Sequence, residues 1–142
     1  MQISDTKGRT RAFARVIGPY ITIVMPIIIV RLPAMQDTLS SFFGIGIIPW
    51  MTGGFLLMAG LIIIALHQYW SSAAAIMISL FGWFLAFRGA VLMAAPQLIQ
   101  QEAERALPSM LAVQMGFGLM MVMGLYLTYV GWMAGSAKAR RL

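Results

Sequence analysis

The stretch AAAIMISLFGWFLAFRGAVLMAA, residues 73–95, contains a single charged side chain, that of Arg88. A helix of about 20 apolar residues is long enough to cross the hydrocarbon core of a bilayer. Apolar and polar residues do not alternate in this stretch, as they would in a strand of a membrane β-barrel. The stretch therefore predicts a transmembrane helix.

Similar apolar stretches occur on both sides of it, at about 13–32, 47–66 and 109–134. Of the 142 residues, 61% are hydrophobic and 10% are charged, whereas a soluble domain is about 25% charged. The sequence therefore predicts an all-α integral membrane protein, a four-transmembrane-helix bundle that forms one membrane domain over 1–142. Segment 35–46 has apolar residues at helical spacing and is predicted to lie along the membrane surface.

Basic residues gather at the two ends of the chain. They are Lys7, Arg9, Arg11 and Arg15 around the start of the first span, and Lys138, Arg140 and Arg141 after the last. Lys and Arg accumulate on the cytoplasmic side of membrane proteins, so we predict that both termini are cytoplasmic and that the membrane is a bacterial inner membrane. A basic region before an apolar run is also typical of a signal peptide. No Ala-x-Ala cleavage site follows, so we expect the first span to be retained.

The residue types that most catalytic sites need are scarce. The chain has no Cys, one His and four carboxylates, which leaves no thiolate metal site and no His pair. Neither a nucleophile elbow nor a phosphate-binding loop ending in Gly-Lys occurs. The net charge of +6 comes from the chain ends, where it indicates topology rather than a nucleic-acid surface. We therefore expect no enzymatic activity, no metal site and no nucleic-acid partner.

Small residues recur at helical spacing in two of the spans. In the third span they are Ala75, Ser79, Gly82, Ala86 and Gly89, and in the fourth they are Gly116, Gly124, Gly131 and Gly135. Within lipid, small residues allow helix backbones to approach closely. We interpret both faces as packing surfaces inside the bundle. The alternative is that one of them docks a partner chain.

Arg88 is the most informative polar residue inside a span, because a central arginine costs at least about 2.5 kcal/mol on insertion. Its side chain either extends outward to lipid phosphates or pairs with a polar group. Gln114, at a similar depth in the fourth span, is one candidate partner, and Glu102 and Glu104 on the preceding connection are others. Arg31, at the edge of the first span, is predicted to contact lipid or a partner.

His67 ends the second span. We interpret it as an interfacial histidine held by a hydrogen bond. The alternatives are a proton carrier or an axial ligand to haem or chlorophyll. No cofactor is predicted as the main expectation, whereas bound lipids are expected.

The middle of the chain resembles a family of small bacterial inner-membrane proteins of uncharacterised function. The similar positions are Gly60-Leu61, His67-x-x-Trp70, Gly82-Trp83, Arg88-Gly89 and Pro96. They lie within 54–96, which is under a third of the chain. The resemblance implies four spans and carries no known activity.

Two functions follow from these observations as hypotheses. The first is a non-catalytic accessory subunit that packs against other integral membrane subunits and stabilises a larger complex, for example a respiratory or photosynthetic one. The second is a homo-oligomeric small channel or transporter. Small multidrug exporters of similar size rely on a carboxylate in the first span, and here that span has none.

Overall fold

The computed structural model describes residues 2–133, apart from the side chains of 2–5, 36 and 107. Nearly all of this range is helical. The α-helices are α1 (Gln2–Arg31), α2 (Met35–Gly44), α3 (Ile47–Leu66), α4 (Ala73–Ala94), α5 (Pro96–Ala106) and α6 (Met110–Trp132). Short 3₁₀ turns join α1 to α2 and α5 to α6.

Four of these helices, α1, α3, α4 and α6, are long and apolar enough to cross a membrane. They confirm the four predicted spans as helices. The largest difference is in α1, which begins at Gln2 rather than near residue 13. Lys and Arg have high helix propensity, and the buried side chains of Thr10 and Ala14 hold the basic part of α1 against its neighbours.

Two connections are helical as well. Helix α2 falls within segment 35–46, whereas α5 was expected only as a connection. Pro96 occupies the start of α5, where its missing N–H costs nothing. Ile99 is buried there, and Ala103 and Ala106 follow it at helical spacing on the half-buried side. The helical spacing of these three residues is the sequence pattern that predicts α5 as a helix.

The four long helices form two antiparallel pairs, α1 with α6 and α3 with α4. The pairs touch each other mainly through α4, which contacts α1 and, less closely, α6. The start of α1, the end of α6 and the α3–α4 connection therefore lie together, at what we call the His67 end. Helices α2 and α5 lie at the opposite end, which we call the Arg88 end.

The α3–α4 pair is held by backbone approach at glycines. A Cβ atom at Gly60 would overlap the backbone nitrogen of Ala86, and one at Gly53 would lie 2.8 Å from the carbonyl oxygen of Gly89. A Cβ at Gly82 would lie 2.6 Å from Cγ2 of Ile63. No larger side chain fits these positions unless the helices separate.

The α1–α6 pair is also held by backbone approach at glycines. A Cβ at Gly124 would lie 2.9 Å from the backbone nitrogen of Thr22, and one at Gly18 would lie 2.9 Å from the carbonyl carbon of Leu127. A Cβ at Gly131 would lie 2.9 Å from the carbonyl carbon of Ala14. The backbones of α1 and α6 are therefore close together along much of their length.

Arg15 fastens the end of this pair. Its Nε donates a hydrogen bond of 2.9 Å to the carbonyl oxygen of Gly131, and its guanidinium lies 5.8 Å from the centre of the Trp132 ring. Cations near the last turn of a helix satisfy free carbonyls and interact favourably with the helix dipole. Arg15 thus ties the C-terminal end of α6 to α1.

The predicted face of α6 needs one correction. Gly116 does not share the seam with Gly124 and Gly131, because it is exposed and a Cβ there would meet nothing within 4 Å. Eight residues separate it from Gly124, which at about 100° per residue places it roughly 80° around the helix. Gly135 lies outside the described residues.

The apolar core lies between the two pairs, towards the His67 end. Residues from all four long helices contribute, namely Ala14, Ile17, Ile21, Ile63, Ala74, Ile78 and Leu127. Towards the Arg88 end a pocket of about 380 Å³ remains between the 3₁₀ turn after α1 and helices α2, α4, α5 and α6. The two pairs are thus joined more tightly at one end than at the other.

Changing Gly60 to Ala should lower the free energy of unfolding by about 1–3 kcal/mol, because the added methyl group forces α3 and α4 apart. Gly54→Ala is the matched control, since a Cβ there lies 3.9 Å from the Met93 sulfur and should leave stability unchanged or raised. Thermal unfolding in detergent, followed by circular dichroism, measures both. Equal stability of the two variants would contradict the proposed close contact.

Candidate functional site

His67 lies at the junction of the two helix pairs. It follows the last residue of α3 and its side chain is fully buried. Its backbone N–H donates to the carbonyl oxygen of Ile63 at 2.8 Å, which completes the last turn of α3. The ring contacts residues of α1 and α4 as well as the α3–α4 connection, so one side chain joins the two pairs.

Both ring nitrogens of His67 face hydroxyl groups. Nε2 lies 3.0 Å from Oγ1 of Thr10, and Nδ1 lies 3.4 Å from Oγ of Ser79. The Thr10 hydroxyl donates its hydrogen to the carbonyl oxygen of Thr6 at 2.9 Å. The Thr10 oxygen is therefore left to accept, which favours the neutral tautomer that carries its proton on Nε2.

Ser79 connects α4 to the turn that carries His67. Its hydroxyl lies 3.1 Å from the carbonyl oxygen of Tyr69 and 3.3 Å from that of His67 itself. The single hydroxyl hydrogen is shared among these two carbonyls and Nδ1 of His67, all of which lie within 3.4 Å of the Ser79 oxygen. Ser79 therefore holds the connection in a shape that directs the imidazole inward.

Aromatic rings enclose the imidazole on two sides. The ring of Phe13 lies 5.3 Å away at a tilt of 60°, and that of Tyr69 lies 5.2 Å away edge-on. Burial among these groups lowers the pKa of His67 below its ordinary value of 6.5, while a backbone hydrogen bond opposes the shift in part. The site therefore favours a neutral imidazole.

This arrangement does not suit an axial ligand to haem or chlorophyll. Such a ligand needs an open space in front of one ring nitrogen. Here Nε2 faces Thr10 at hydrogen-bond distance and Nδ1 faces Ser79. Among the side chains that the structure describes, no three of His, Cys, Asp or Glu lie close enough to hold a metal ion.

Arg88 marks the opposite end of the bundle. Its guanidinium lies 3.6 Å from a carboxylate oxygen of Glu102 on α5, with 40% and 68% of the two side chains exposed. Of the other two candidate partners, Glu104 accepts a hydrogen bond from Gln100 at 2.8 Å, and Gln114 is half-buried on α6. An ion pair this exposed contributes at most about 1 kcal/mol in water.

The Arg88–Glu102 pair borders the pocket of about 380 Å³ described above. Its other walls are apolar side chains of the first connection, α5 and α6, including Leu32, Leu39 and Phe117. Arg31 lies at the same end, where it closes α1 with an exposed side chain. The charged groups near the predicted membrane boundary thus lie at the outer surface of the bundle.

The predicted small-residue face of α4 is buried along its whole length. Ala75 and Ser79 lie near the His67 end, and Gly82, Ala86 and Gly89 continue along α3. Thr10 and Phe13, the two α1 residues that contact His67, were not singled out from the sequence. They are 57 and 54 residues away in the chain, and no local pattern marks such a contact.

No family model matches the chain, and comparisons with curated proteins and with solved structures found no match either. The resemblance of 54–96 to a family of small inner-membrane proteins therefore stays a prediction.

Stability should depend on pH through His67. Above pH 6.5 the imidazole is neutral in both folded and unfolded chains. Below that value the unfolded chain takes up a proton that the buried ring resists, so the free energy of unfolding falls as the pH falls. Thermal unfolding in detergent between about pH 7.5 and pH 5, a range that brackets the ordinary pKa of histidine, measures this.

The variant His67→Gln is the control for this pH effect. It keeps hydrogen-bonding groups near Thr10 but has no titratable ring, so its unfolding temperature should vary less across the same range. An equally steep decrease in both proteins would assign the effect to another group.

Proposed function

We propose that this protein is a non-catalytic multi-pass subunit of a bacterial inner membrane that packs against and stabilises a larger membrane complex, of the respiratory or photosynthetic type. Lipid bilayer and other integral membrane subunits would surround it. The main support comes from Gly116 of α6, which packs against no other helix in the described part of the chain.

Glycine inside a helix costs about 1 kcal/mol relative to alanine. For most glycines of the apolar stretches, close contact with a neighbouring helix offsets this cost. These are Gly18, Gly53, Gly60, Gly82, Gly89, Gly124 and Gly131. Gly116 and Gly118 differ, because a Cβ at either position would meet no described atom within 4 Å. A helix from another chain packed on the exposed face at Gly116 would explain this glycine. Gly118 is two residues further on and faces nearly the opposite side of α6, about 200° around the helix.

The surroundings of Gly116 fit this interpretation. Ala112 lies one turn before it and is exposed on α6. Two small residues four positions apart form the spacing at which membrane helices pack closely. Met115 and Leu119 beside them are 68% and 73% exposed, so large apolar side chains border a shallow depression suited to a helix.

The distribution of charge supports an orientation with both termini in the cytoplasm. Lys7, Arg11 and Arg15 belong to the start of α1, at the end of the bundle that also receives the C-terminus of α6. The Arg88 end has acidic groups as well, with Glu102 next to Arg88. Under the positive-inside rule the His67 end faces the cytoplasm.

A homo-oligomeric channel or transporter is the competing function, and the same face of α6 would then pair with a second copy. Transport of cations or cationic drugs generally uses carboxylates within the membrane. The carboxylates of this chain, Asp5, Asp37, Glu102 and Glu104, all lie outside the predicted spans. The subunit function is therefore favoured.

The test is isolation in a mild detergent from the native host, followed by mass spectrometry of co-purifying chains. The unaltered protein should carry stoichiometric heterologous membrane subunits. Gly116→Leu should reduce their yield by about tenfold or more, because a bulky side chain prevents helix approach. Ala90→Leu, on an exposed face of α4, is the matched control and should retain them.

Recovery of the unaltered protein without any heterologous chain would reject the subunit function. If only copies of the same chain co-purify and Gly116→Leu dissociates them, the channel or transporter function is supported instead. Flux measurements in proteoliposomes, with Arg88→Leu as a comparison, would then follow.

A further inference from the structure

A pocket of about 350 Å³ opens at the His67 end, between the start of α1 and the start of α4. It is separate from the unpartnered face of α6 and from the pocket beside Arg88. Its lining consists of Thr6, Lys7, Thr10, Arg11, Ser71, Ser72 and Val130. Two cationic and four hydroxyl side chains belong to this lining, most of whose surface is apolar, and no carboxylate is part of the described lining.

Arg11 is the residue that points most directly to a ligand. Its Nε atom is buried and has no hydrogen-bond partner among the described residues. A buried donor on a charged group costs free energy unless an acceptor satisfies it. By contrast, the Nε atom of Arg15, one turn further along the same helix, donates a hydrogen bond to the Gly131 carbonyl oxygen.

The start of α4 adds positive potential from the opposite wall. Ser72 caps this helix by accepting a hydrogen bond of 3.2 Å from the backbone N–H of Ala75. The remaining N–H groups of the first turn and the helix dipole favour an anion there. The Ser72 hydroxyl hydrogen remains available to donate to a ligand, as does the hydroxyl of Ser71.

We propose that this pocket binds the phosphate group of an anionic ligand. Arg11 and Lys7 neutralise its charge, and the two serine hydroxyls donate to its oxygens. Val130 of α6 supplies an apolar wall, which suits a phosphate ester with a hydrocarbon part. An anionic phospholipid headgroup and a soluble phosphate ester share this chemistry.

The test uses the delipidated full chain in detergent and two probes, short-chain phosphatidylglycerol and glycerol 3-phosphate, titrated by native mass spectrometry and thermal shift. At least one probe should bind and stabilise the protein. Arg11→Gln should weaken this binding by about tenfold, the effect of losing one charge-assisted hydrogen bond. Arg9→Gln removes the same charge from the same helix outside the pocket and should change binding less than about threefold.

The relative affinity of the two probes identifies the source. Binding of phosphatidylglycerol alone assigns the pocket to a lipid headgroup, and binding of both with similar affinity assigns it to a soluble phosphate ester. Binding of neither probe, or equal weakening by Arg11→Gln and Arg9→Gln, overturns the proposal.

A second pair of variants tests the proposal even if the Arg11→Gln variant fails to fold. Ser71 is exposed in the α3–α4 connection, where substitution disturbs little. Ser71→Glu places a carboxylate at the mouth of the pocket and should abolish binding, whereas Ser71→Gln, of the same size, should retain most of it. Equal binding by these two variants also overturns the proposal.

Discussion

Close approach of helix backbones is the constraint on which the rest of this structure depends. Both pairs, α1 with α6 and α3 with α4, place glycine directly against the backbone of the neighbouring helix. In lipid no hydrophobic effect drives helices together, so van der Waals contact between backbones must hold them. The turn that presents His67 and the pocket lined by Arg11 both lie where these pairs meet.

The two ends of the bundle differ in how they are closed. At the His67 end an imidazole, hydroxyl groups of α1 and α4, and an apolar core link the pairs. At the Arg88 end a partly exposed ion pair joins α4 to α5, which belongs to neither pair, and a pocket of about 380 Å³ lies beside it. Buried polar contacts with satisfied partners define a unique geometry better than exposed ion pairs do. We therefore regard the His67 end as the more rigidly defined of the two.

The four spans were predictable because apolar runs of bilayer length are a strong signal in sequence. The face of α4 was predictable too, since its small residues repeat at helical spacing. Thr10 as a partner of His67 was not, because such a contact depends on how distant helices cross. Gly116 was wrongly placed on the same face as Gly124. The two are eight residues apart, and eight steps of about 100° leave them roughly 80° apart around the helix. Helix α5 was missed although Pro96 marks its start.

The pairing of α1 with α6 has a consequence for biogenesis. Helices α3 and α4 are neighbours in the chain and are able to associate as soon as both have left the ribosome. Helix α1 is synthesised well before its partner α6, because Gly18 packs against Thr128 and Arg15 bonds to Gly131, both near the end of the chain. Until α6 is synthesised, the face of α1 that contains Ala14 and Gly18 has no helix to pack against. Incompletely assembled intermediates of this kind are prone to misassembly. Helix α1 therefore has to persist without its partner through most of translation.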